Sequence, residues 1–324
     1  MTDVARLAGV SHQTVSRVLN GHPNVREQTR LRVRAAITEL GYRPNRAARA
    51  LVTGKSQVIG VVAQNSTLYG PASLLAAFEQ AAGAANFAVN VGSVRNLDRR
   101  SIADAVERHL DQRVAGLVII APVVSANEAL EQLPAGVPLV MIDGDPLRST
   151  ALVTVDQAAG ARAATGCLLA AGHETVWHVS GPPDWFDSAG RIQGWEQALR
   201  DANAEVPPLV PADWSASSGY RAGQMLARMR EVTAVFAAND HLALGILRAL
   251  SERGRRVPDD VSIVGFDDVP EAAYFIPPLT TVRPAFDAVA QAGMDLLLGQ
   301  MRSGRGDGAR LTIAPTLVRR DSVG

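Results

Sequence analysis

Four polar side chains near the N-terminus are spaced so that they could form hydrogen bonds with the edges of nucleic-acid bases: His12, Gln13, Ser16 and Arg17. Positions three or four apart share one face of an α-helix, so Gln13, Ser16 and Arg17 would point the same way. A glutamine can make paired hydrogen bonds to adenine, and an arginine to guanine. The alternative is a helix face exposed only to water, which is the commonest role of polar residues.

Two short helices joined by a tight turn would present this face. Between Asp3 and Asn20, apolar residues recur with helical spacing on both sides of Gly9. Ser11 can cap the second helix through its hydroxyl, and Asn20-Gly21 can end it. The apolar positions expected to hold the two helices together are Val4, Leu7, Ala8, Val15, Val18 and Leu19. The pattern predicts a helix-turn-helix whose second helix enters the major groove of DNA.

The charge distribution also favours a nucleic-acid partner for the N-terminal segment. The first 55 residues carry ten basic and three acidic side chains, a formal charge of +7, whereas the remaining 269 carry 22 basic and 29 acidic ones, a charge of −7. Basic side chains that neutralise backbone phosphates release condensed counterions, which drives binding. A chain that is neutral as a whole is therefore predicted to have a DNA-binding head on an acidic body.

A third helix and a short hinge are predicted to follow. The helix spans roughly Glu27 to Leu40 and ends at Gly41, and its expected core residues are Leu31, Val33, Ala35, Ile37 and Leu40. Residues 45–51, which follow Pro44, are too few for a stable isolated helix, so we expect that helix to form only with DNA and a partner chain. Leu51 could be a wedge between base pairs of the minor groove, or an exposed residue of a simple linker.

Three segments, DVARLAGVSHQTVSRVLNG at 3–21, YRPNRAARAL at 42–51 and VIGVV at 58–62, resemble the LacI/GalR family of bacterial transcriptional repressors. The resemblance implies an α/β protein: an N-terminal all-α helix-turn-helix headpiece, a hinge helix and a two-lobed body like a periplasmic binding protein, with parallel sheets. It also implies the DNA contacts. These are His12, Gln13, Thr14, Ser16, Arg17 and Asn20 on the recognition helix, and Asn45, Arg46, Ala48, Arg49 and the intercalating Leu51 on the hinge.

The rest of the chain alternates short aliphatic runs with helical stretches, which predicts parallel βαβ units. The expected strands are 58–63, 88–91, 117–120, 139–142, 152–155, 175–179, 234–237 and 262–264, and four helices are 71–85, 101–112, 157–171 and 242–253. This stretch is longer than one ordinary doubly wound domain, so two lobes are expected. We predict a headpiece over 1–44, a hinge over 45–55 and a body over 56–324, with an N-lobe of about 56–155 and 284–312 and a C-lobe of about 156–283 and 313–321.

Polar and aromatic residues follow several of these strands, at the place where open α/β sheets bind ligands. Carboxylates and amides there can pair with the hydroxyls of a sugar, while aromatic rings cover its less polar face. The family resemblance assigns effector contacts to Leu68, Asp143, Arg191, Trp214, Asn239, Asp267 and Phe286, and to Gln64, which replaces a serine of a related member. Local alternatives exist, because Asn239 could cap a helix, Asp143 and Asp267 could close turns, and Trp214 could be core.

These features predict a sequence-specific repressor that binds double-stranded operator DNA in the cytoplasm. By resemblance, a small sugar, expected to be a galactoside, lowers its DNA affinity. An alternative within the family is a sugar-type or purine-type co-repressor that strengthens DNA binding. A homodimer is expected because no heptad repeat follows the last predicted strand.

Other classes of protein fit the sequence less well. A periplasmic sugar-binding protein would have no use for the basic head. A Rossmann-type enzyme would need a G-x-G-x-x-G motif after a strand, which neither 64–66 nor 265–267 provides. No catalytic residue, cofactor, metal site or membrane partner is predicted, and the single cysteine, Cys167, is expected inside a helix as a small buried residue.

Overall fold

The computed structural model describes residues 1–19, 21–42, 56–123, 136–144, 151–304 and 308–324. The chain divides into two compact units, Met1–Gln57 and Val58–Gly324. The first unit contains the headpiece and the second the body. The predicted hinge lies outside the described residues, so the proposed boundaries between headpiece, hinge and body stay predictions.

Three helices form the headpiece: α1 (Thr2–Ala8), α2 (His12–Leu19) and α3 (Glu27–Glu39). Gly9 ends α1 in the left-handed region, with φ at 61°. The Thr14 N–H donates to Ser11 Oγ at 3.2 Å, which confirms the predicted cap of α2. The small core that holds the helices together consists of Val4, Ala5, Ala8, Val15, Val33 and Ala36.

Four residues expected in the headpiece core are exposed instead: Leu7, Leu31, Ala35 and Leu40. The helical period explains most of this difference, because positions 31 and 35 lie about 200° around α3 from the buried Val33. Ala36 lies on the same face as Val33 and is buried. Leu40 follows the last residue of α3. The prediction of these four residues as core was therefore wrong.

The N-lobe of the body is a six-stranded parallel sheet in the order β11-β5-β4-β3-β1-β2. Its strands are β1 (Val58–Gln64), β2 (Ala88–Val94), β3 (Gly116–Ile120), β4 (Leu139–Ile142), β5 (Ala151–Val155) and β11 (Arg310–Ile313). Helices α4 (Tyr69–Ala84) and α10 (Phe286–Ser303) cover one face, and α5 (Arg99–Asp111) covers the other. The central strands are aliphatic and buried because helices pack on both sides of them.

The C-lobe is a four-stranded parallel sheet in the order β7-β6-β8-β9. Its strands are β6 (Trp177–Ser180), β7 (Val210–Pro211), β8 (Ala234–Ala237) and β9 (Ser262–Val264). Its helices are α6 (Gln157–Ala170), α7 (Phe186–Asp201), α8 (Ala216–Leu226) and α9 (Asp240–Glu252), and a 3₁₀ helix spans Pro270–Tyr274. Two further strands, β10 (Thr281–Arg283) and β12 (Thr316–Val318), pair antiparallel beside it.

The chain crosses between the two lobes three times, at residue 156, at 284–285 and at 314–315. Each crossing is only one or two residues long. The carboxyl ends of the strands in both lobes point towards the space between the lobes. The loops that leave β3, β4, β8 and β9 therefore line one cleft. Three short connections of this kind leave the lobes free to change their relative angle.

The predicted alternation of strands and helices is confirmed. All eight predicted strands are present, with ends displaced by no more than three residues, and the four predicted helices of the body agree within two. The strand predicted at 175–179 begins at Trp177 instead, and Thr175 Oγ1 before it donates to the Glu205 carbonyl at 2.6 Å. Among the described residues, no helix is both long and apolar enough to cross a membrane.

Candidate effector cleft and nucleic-acid interface

A cleft lined by residues of both lobes lies in the body. Seven of the eight predicted effector contacts line it: Leu68, Asp143, Arg191, Trp214, Asn239, Asp267 and Phe286. The fold therefore brings together side chains that are far apart in sequence.

Gln64, the eighth predicted contact, is not among the residues that line the cleft. It is the last residue of β1, and its Nε2 donates to the Arg95 carbonyl at 3.4 Å. Arg95 follows β2, the strand at the edge of the sheet. The amide is thus directed along the sheet edge, away from the polar side chains of the cleft.

Arg191 is the centre of the polar wall. It lies on α7, is 4% exposed, and donates to Gln157 Oε1 at 2.9 Å and to the Ala238 carbonyl. Its Nη2 lies 3.5 Å from Asp267 Oδ1 and 3.9 Å from Asp187 Oδ2. Several partners on different elements fix a planar guanidinium in one orientation. The cation is therefore in place before a ligand enters.

Close helix packing explains how Arg191 reaches this position. A Cβ at Gly194 would lie 2.2 Å from the Ala158 carbonyl oxygen, so only glycine lets α7 lie this close to α6. The ring of Phe266 lies below the guanidinium, with its centre 3.7 Å from the guanidinium carbon. A cation over an aromatic face is stabilised by the quadrupole of the ring. Packing and electrostatics thus hold Arg191 in the same place.

Three carboxylates surround this one cation. Burial raises the pKa of Asp267 to about 6, although the charge of Arg191 opposes the shift. Burial also raises the pKa of Asp187, and burial together with the charge of Asp187 raises the pKa of Asp143. Each carboxylate has lost hydrogen bonds to water through burial, so a ligand hydroxyl that donates a hydrogen bond to it would stabilise its charge. The arrangement suits a neutral ligand with several hydroxyl groups.

Three residues of the cleft are held in a backbone conformation that non-glycine residues rarely adopt. The φ angles of Asp143, Trp214 and Asp267 are 50°, 71° and 103°. Such conformations cost free energy and persist only where the surrounding structure enforces them, often at binding sites. Here they direct one carboxylate of each lobe and one indole into the cleft.

Asn239 caps a helix and also lines the cleft. Its Oδ1 accepts from the Leu242 N–H at 2.8 Å and caps α9, while its Nδ2 donates to the Trp214 carbonyl at 3.1 Å. The next residue, Asp240, is fully buried, and burial raises its pKa to about 8. The cap therefore fixes the side chain of Asn239 at the cleft wall and ties it to the loop that carries Trp214.

Aromatic side chains form the less polar walls. Trp214 is 5% exposed and packs against Gly181, where a Cβ would lie 2.2 Å from the indole. The ring of Trp185 meets it edge to face, with 5.6 Å between centres. Across the cleft, Tyr69 and Phe286 make a similar contact at 6.3 Å. The cleft thus has aromatic surfaces on both lobes.

The lining residues that the sequence analysis did not assign include Gln157, Trp185 and Asp187. A helical spacing of four residues between Asp187 and Arg191 would have placed them on one face, had α7 been predicted. Trp185 precedes the first residue of α7. Gln157 begins α6, directly after a lobe crossing. Their positions follow from where the chain passes between lobes, which no local motif indicates.

The described residues provide no metal centre, because no group of three or more His, Cys, Asp or Glu side chains is placed to hold an ion there. Cys167 is buried in α6, and burial raises the pKa of its thiol. A buried thiol of this kind is a weak nucleophile.

The candidate DNA-reading surface lies on α2. His12, Gln13 and Arg17 are exposed there, and Thr14 and Ser16 are half-buried. Thr14 Oγ1 lies 2.9 Å from Ser11 Oγ, so this hydroxyl helps to form the cap. The other predicted DNA contacts lie outside the described residues: Asn20, Asn45, Arg46, Ala48, Arg49 and Leu51.

A helix-turn-helix headpiece joined to a two-lobed body with a polar cleft defines the class of ligand-responsive DNA-binding regulators. Residues 1–45 match the bacterial regulatory proteins, lacI family, and residues 165–323 match the periplasmic binding protein-like domain. The chain is 35% identical over 325 residues to the lactose operon repressor of Escherichia coli (strain K12), which covers 99% of this chain and 89% of the relative. The chain therefore belongs to the LacI family, and the predicted family and fold class are confirmed.

Other relatives extend the comparison. The HTH-type transcriptional repressor PurR of Klebsiella pneumoniae (strain 342) is 33% identical over 328 residues, 99% of this chain and 96% of the relative. The crystal structure of the lac repressor dimer bound to operator and the anti-inducer ONPF has a TM-score of 0.89 at 34% identity, covering 99% and 97% of the chains. A transcriptional regulator CelR–cellobiose complex has a TM-score of 0.74 at 31% identity, covering 99% and 98%. The named curated relatives are transcriptional repressors, and none of them is an enzyme.

Proposed function

We propose that this LacI-family repressor binds operator DNA as a homodimer in the bacterial cytoplasm, and that a small sugar in the cleft lowers its affinity for the operator. A galactoside is the proposed effector. The proposal of a sugar effector rests on one observation. The wall formed by Arg191, Asp267 and Asn239 faces aromatic rings across an open cleft. The related lac repressor dimer is bound to the anti-inducer ONPF, and the related regulator CelR forms a complex with cellobiose.

The proposed coupling rests on the two walls of the cleft. Asp143 belongs to the N-lobe, and Asp267 and Arg191 belong to the C-lobe, so one ligand with several hydroxyls can contact both. A ligand that contacts both walls favours one relative angle of the lobes over another. It changes operator affinity only as far as it prefers one of these states, and operator DNA must weaken sugar binding by the same factor.

The decisive experiment measures both affinities on the same protein. Genomic fragments that the protein selects at moderate salt would be titrated with and without lactose, galactose and methyl β-galactoside, and each sugar would be titrated calorimetrically. We expect one galactoside to weaken operator binding and to bind less tightly when operator is present. Asp267→Asn is the matched variant, which should bind operator normally and require about 10- to 100-fold more sugar for the same response. Operator binding that no galactoside changes would contradict the effector, and the absence of any preferred fragment would contradict repression.

The headpiece can be tested separately. We expect Gln13→Ala to reduce discrimination between operator and mutated operator, because it removes a side chain that can contact base edges. Arg49→Ala should instead weaken binding evenly across sequences and reduce the salt slope by about one, as for the loss of one phosphate contact. Equal loss of specificity in both variants would contradict this division of roles.

The alternative within the family is a co-repressor that strengthens DNA binding. The 33% identity to the repressor PurR favours considering it. Asp143, Asp187 and Asp267 line the cleft, and their carboxyl oxygens can accept hydrogen bonds from the hydroxyls of a sugar. The same titrations decide the question, with a purine base added to the set of sugars. A ligand that tightens operator binding would replace induction with co-repression.

The proposed dimer has its own test. Light scattering at micromolar concentration should give twice the chain mass of 34.2 kDa. A two-fold dimer places its two reading helices on an approximately palindromic site, so the selected fragments should contain such a repeat. A mass of four chains would contradict the proposed dimer but would leave the proposal of a sugar effector unchanged.

A further inference from the structure

Asp268 follows the cleft residue Asp267 but is not one of the residues that line the cleft. Its side chain is only 6% exposed, and each of its carboxylate oxygens accepts from a different arginine. Arg283 Nε donates to Oδ2 at 2.5 Å, and Arg320 Nη2 donates to Oδ1 at 2.6 Å. Hydrogen bonds between charged groups are roughly twice as strong as neutral ones, and two of them fix a carboxylate in one orientation. Asp268 therefore joins three segments of the chain that are far apart in sequence.

The two arginines lie on the segments that connect the lobes. Arg283 is the last residue of β10 and directly precedes the crossing at 284–285. Arg320 lies two residues after β12, which follows the crossing at 314–315. The strands β10 and β12 pair antiparallel, with Arg283 opposite Thr316. Asp268 is thus bound to both sides of a two-stranded ribbon through which two of the three connections between the lobes pass.

The loop that carries Asp267 is attached to the same ribbon through its backbone. The Asp267 N–H donates to the Val282 carbonyl of β10 at 2.8 Å. Further along the loop, the Val269 N–H donates to the buried Asp240 Oδ2 at 2.8 Å. The φ angles of Asp267 and Asp268 are 103° and 50°, a conformation that persists only where the surrounding structure enforces it. A shift of Asp267 towards a ligand must therefore also move Asp268.

We propose that Asp268, through Arg283 and Arg320, couples the position of Asp267 to two connections between the lobes, so that it sets how strongly the effector changes operator affinity. This inference rests on the proposed function and names a positioning residue that does not contact the ligand. With the ion pairs in place, a ligand that moves Asp267 displaces the loop and the ribbon together. Without them, the loop can move while the ribbon stays, and the effect of the ligand remains within the C-lobe.

The test measures a coupling factor, which is the ratio of the operator dissociation constants with and without saturating sugar. The sugar is the one among lactose, galactose and methyl β-galactoside that most weakens operator binding by the wild type. The full-length variants are Asp268→Asn and Arg283→Gln. Asp260→Asn is the matched control, because Asp260 also pairs with an arginine of the C-lobe but lines a different surface groove. Denaturant unfolding would verify that each variant is folded.

We expect Asp268→Asn and Arg283→Gln to bring the coupling factor at least halfway towards one on a logarithmic scale. Allosteric coupling factors are typically about 5- to 150-fold, so a change of this size is measurable. The sugar affinity without DNA and the operator affinity without sugar should each change less than about threefold. Asp260→Asn should keep the wild-type factor.

Arg283 offers a second route to the same result, since its side chain is 59% exposed and its replacement disturbs little packing. Arg283→Lys keeps the positive charge, so it should recover most of the coupling factor that Arg283→Gln loses. A merely structural role of the ion pairs predicts a different outcome. It would lower the affinities for sugar and for operator together and leave the coupling factor unchanged.

Two results would overturn the proposal. One is a wild-type coupling factor in folded Asp268→Asn or Arg283→Gln. The other is a loss of sugar affinity in Asp268→Asn as large as the loss of coupling, since that would place Asp268 in the binding site itself. In both cases the wild type still responds to the sugar, so the proposed function would survive. If no galactoside changes operator binding by the wild type, the proposed effector and this inference fail together.

Discussion

The two walls of the cleft differ in how they are built. The C-lobe wall holds Arg191, Asp187 and Asp267 in one buried network of charges. Among the residues that the structure describes, the N-lobe wall presents one carboxylate, Asp143, among apolar and aromatic side chains. Asp143 already accepts from Thr154 Oγ1 at 3.1 Å and from the Val155 N–H at 3.4 Å. One wall is a prepared polar surface, whereas the other is an apolar cover with one acceptor.

This difference suggests a division of labour between the lobes. A network whose members hold one another before the ligand arrives loses little entropy on binding, so it can supply most of the affinity. The N-lobe cover then contributes mainly when the lobes approach, which is the step that links the sugar to DNA. The following predictions test this comparison, beginning with the largest expected effect.

Replacing Arg191 with methionine should weaken sugar binding by about 100-fold or more, because it leaves two buried carboxylates without their cation. The same loss should lower the free energy of unfolding by about 3 kcal/mol. Calorimetry and denaturant unfolding would measure the two effects. Arg200→Met is the matched control, since Arg200 is on the same helix but exposed and paired only with Glu196. A normal sugar response in Arg191→Met would remove this residue from the site.

Asp267→Asn and Asp143→Asn compare the two walls directly. A hydrogen bond to a charged group contributes about 1.5–3 kcal/mol, so Asp267→Asn should weaken sugar binding by about 10- to 100-fold. Asp143→Asn should cost about tenfold at most, because two internal donors already share its Oδ1. Titration of one galactoside into both variants would measure the ratio. Equal losses would show that the walls contribute alike.

Asp143, whose pKa is raised to about 7, should contribute to the pH dependence of sugar binding near neutral pH, and the lower part of the profile should follow Asp267. The folded pKa of Asp267 is raised from 3.8 to about 6, so its carboxylate, which accepts from sugar hydroxyls, is lost as the pH falls through about 6. Sugar affinity should fall over the same range. Stability of the empty protein should change in the opposite sense, because a raised folded pKa stabilises at low pH and this contribution is lost as the pH rises through about 6. Asp267→Asn should flatten the profiles of sugar affinity and of stability near pH 6. Profiles that do not change in this variant would assign the titration to another group.

The smallest effect is expected on the aromatic cover. Phe286→Leu keeps an apolar side chain at the start of α10 but removes the edge contact with Tyr69. We expect a loss of about threefold in sugar affinity, which corresponds to less than 1 kcal/mol. Calorimetry of the variant beside the wild type would resolve it. A loss as large as that of Asp267→Asn would overturn the view of the N-lobe wall as a cover.

Local patterns in the sequence were sufficient for much of the secondary structure. Ser11 caps α2 as predicted, because a hydroxyl two residues after a left-handed glycine has few other roles. The same reasoning failed for Leu31, since apolar character alone does not say which face of α3 it occupies. The predicted residues of the cleft came mostly from family resemblance, and seven of the eight line one cleft in the structure. Strand-end reasoning alone left caps and turns as equal alternatives.

The sequence by itself determined the basic head, the alternating body and the polar strand ends, because charge and hydrophobic period are properties of neighbouring residues. Only the tertiary structure decided that Trp185 and Asp187 line the cleft, and that Gln64 does not. It also decided which carboxylates have raised pKa values, since burial depends on groups that lie far apart along the chain. Convergence of this kind depends on how the two lobes meet, and no short stretch of residues encodes it.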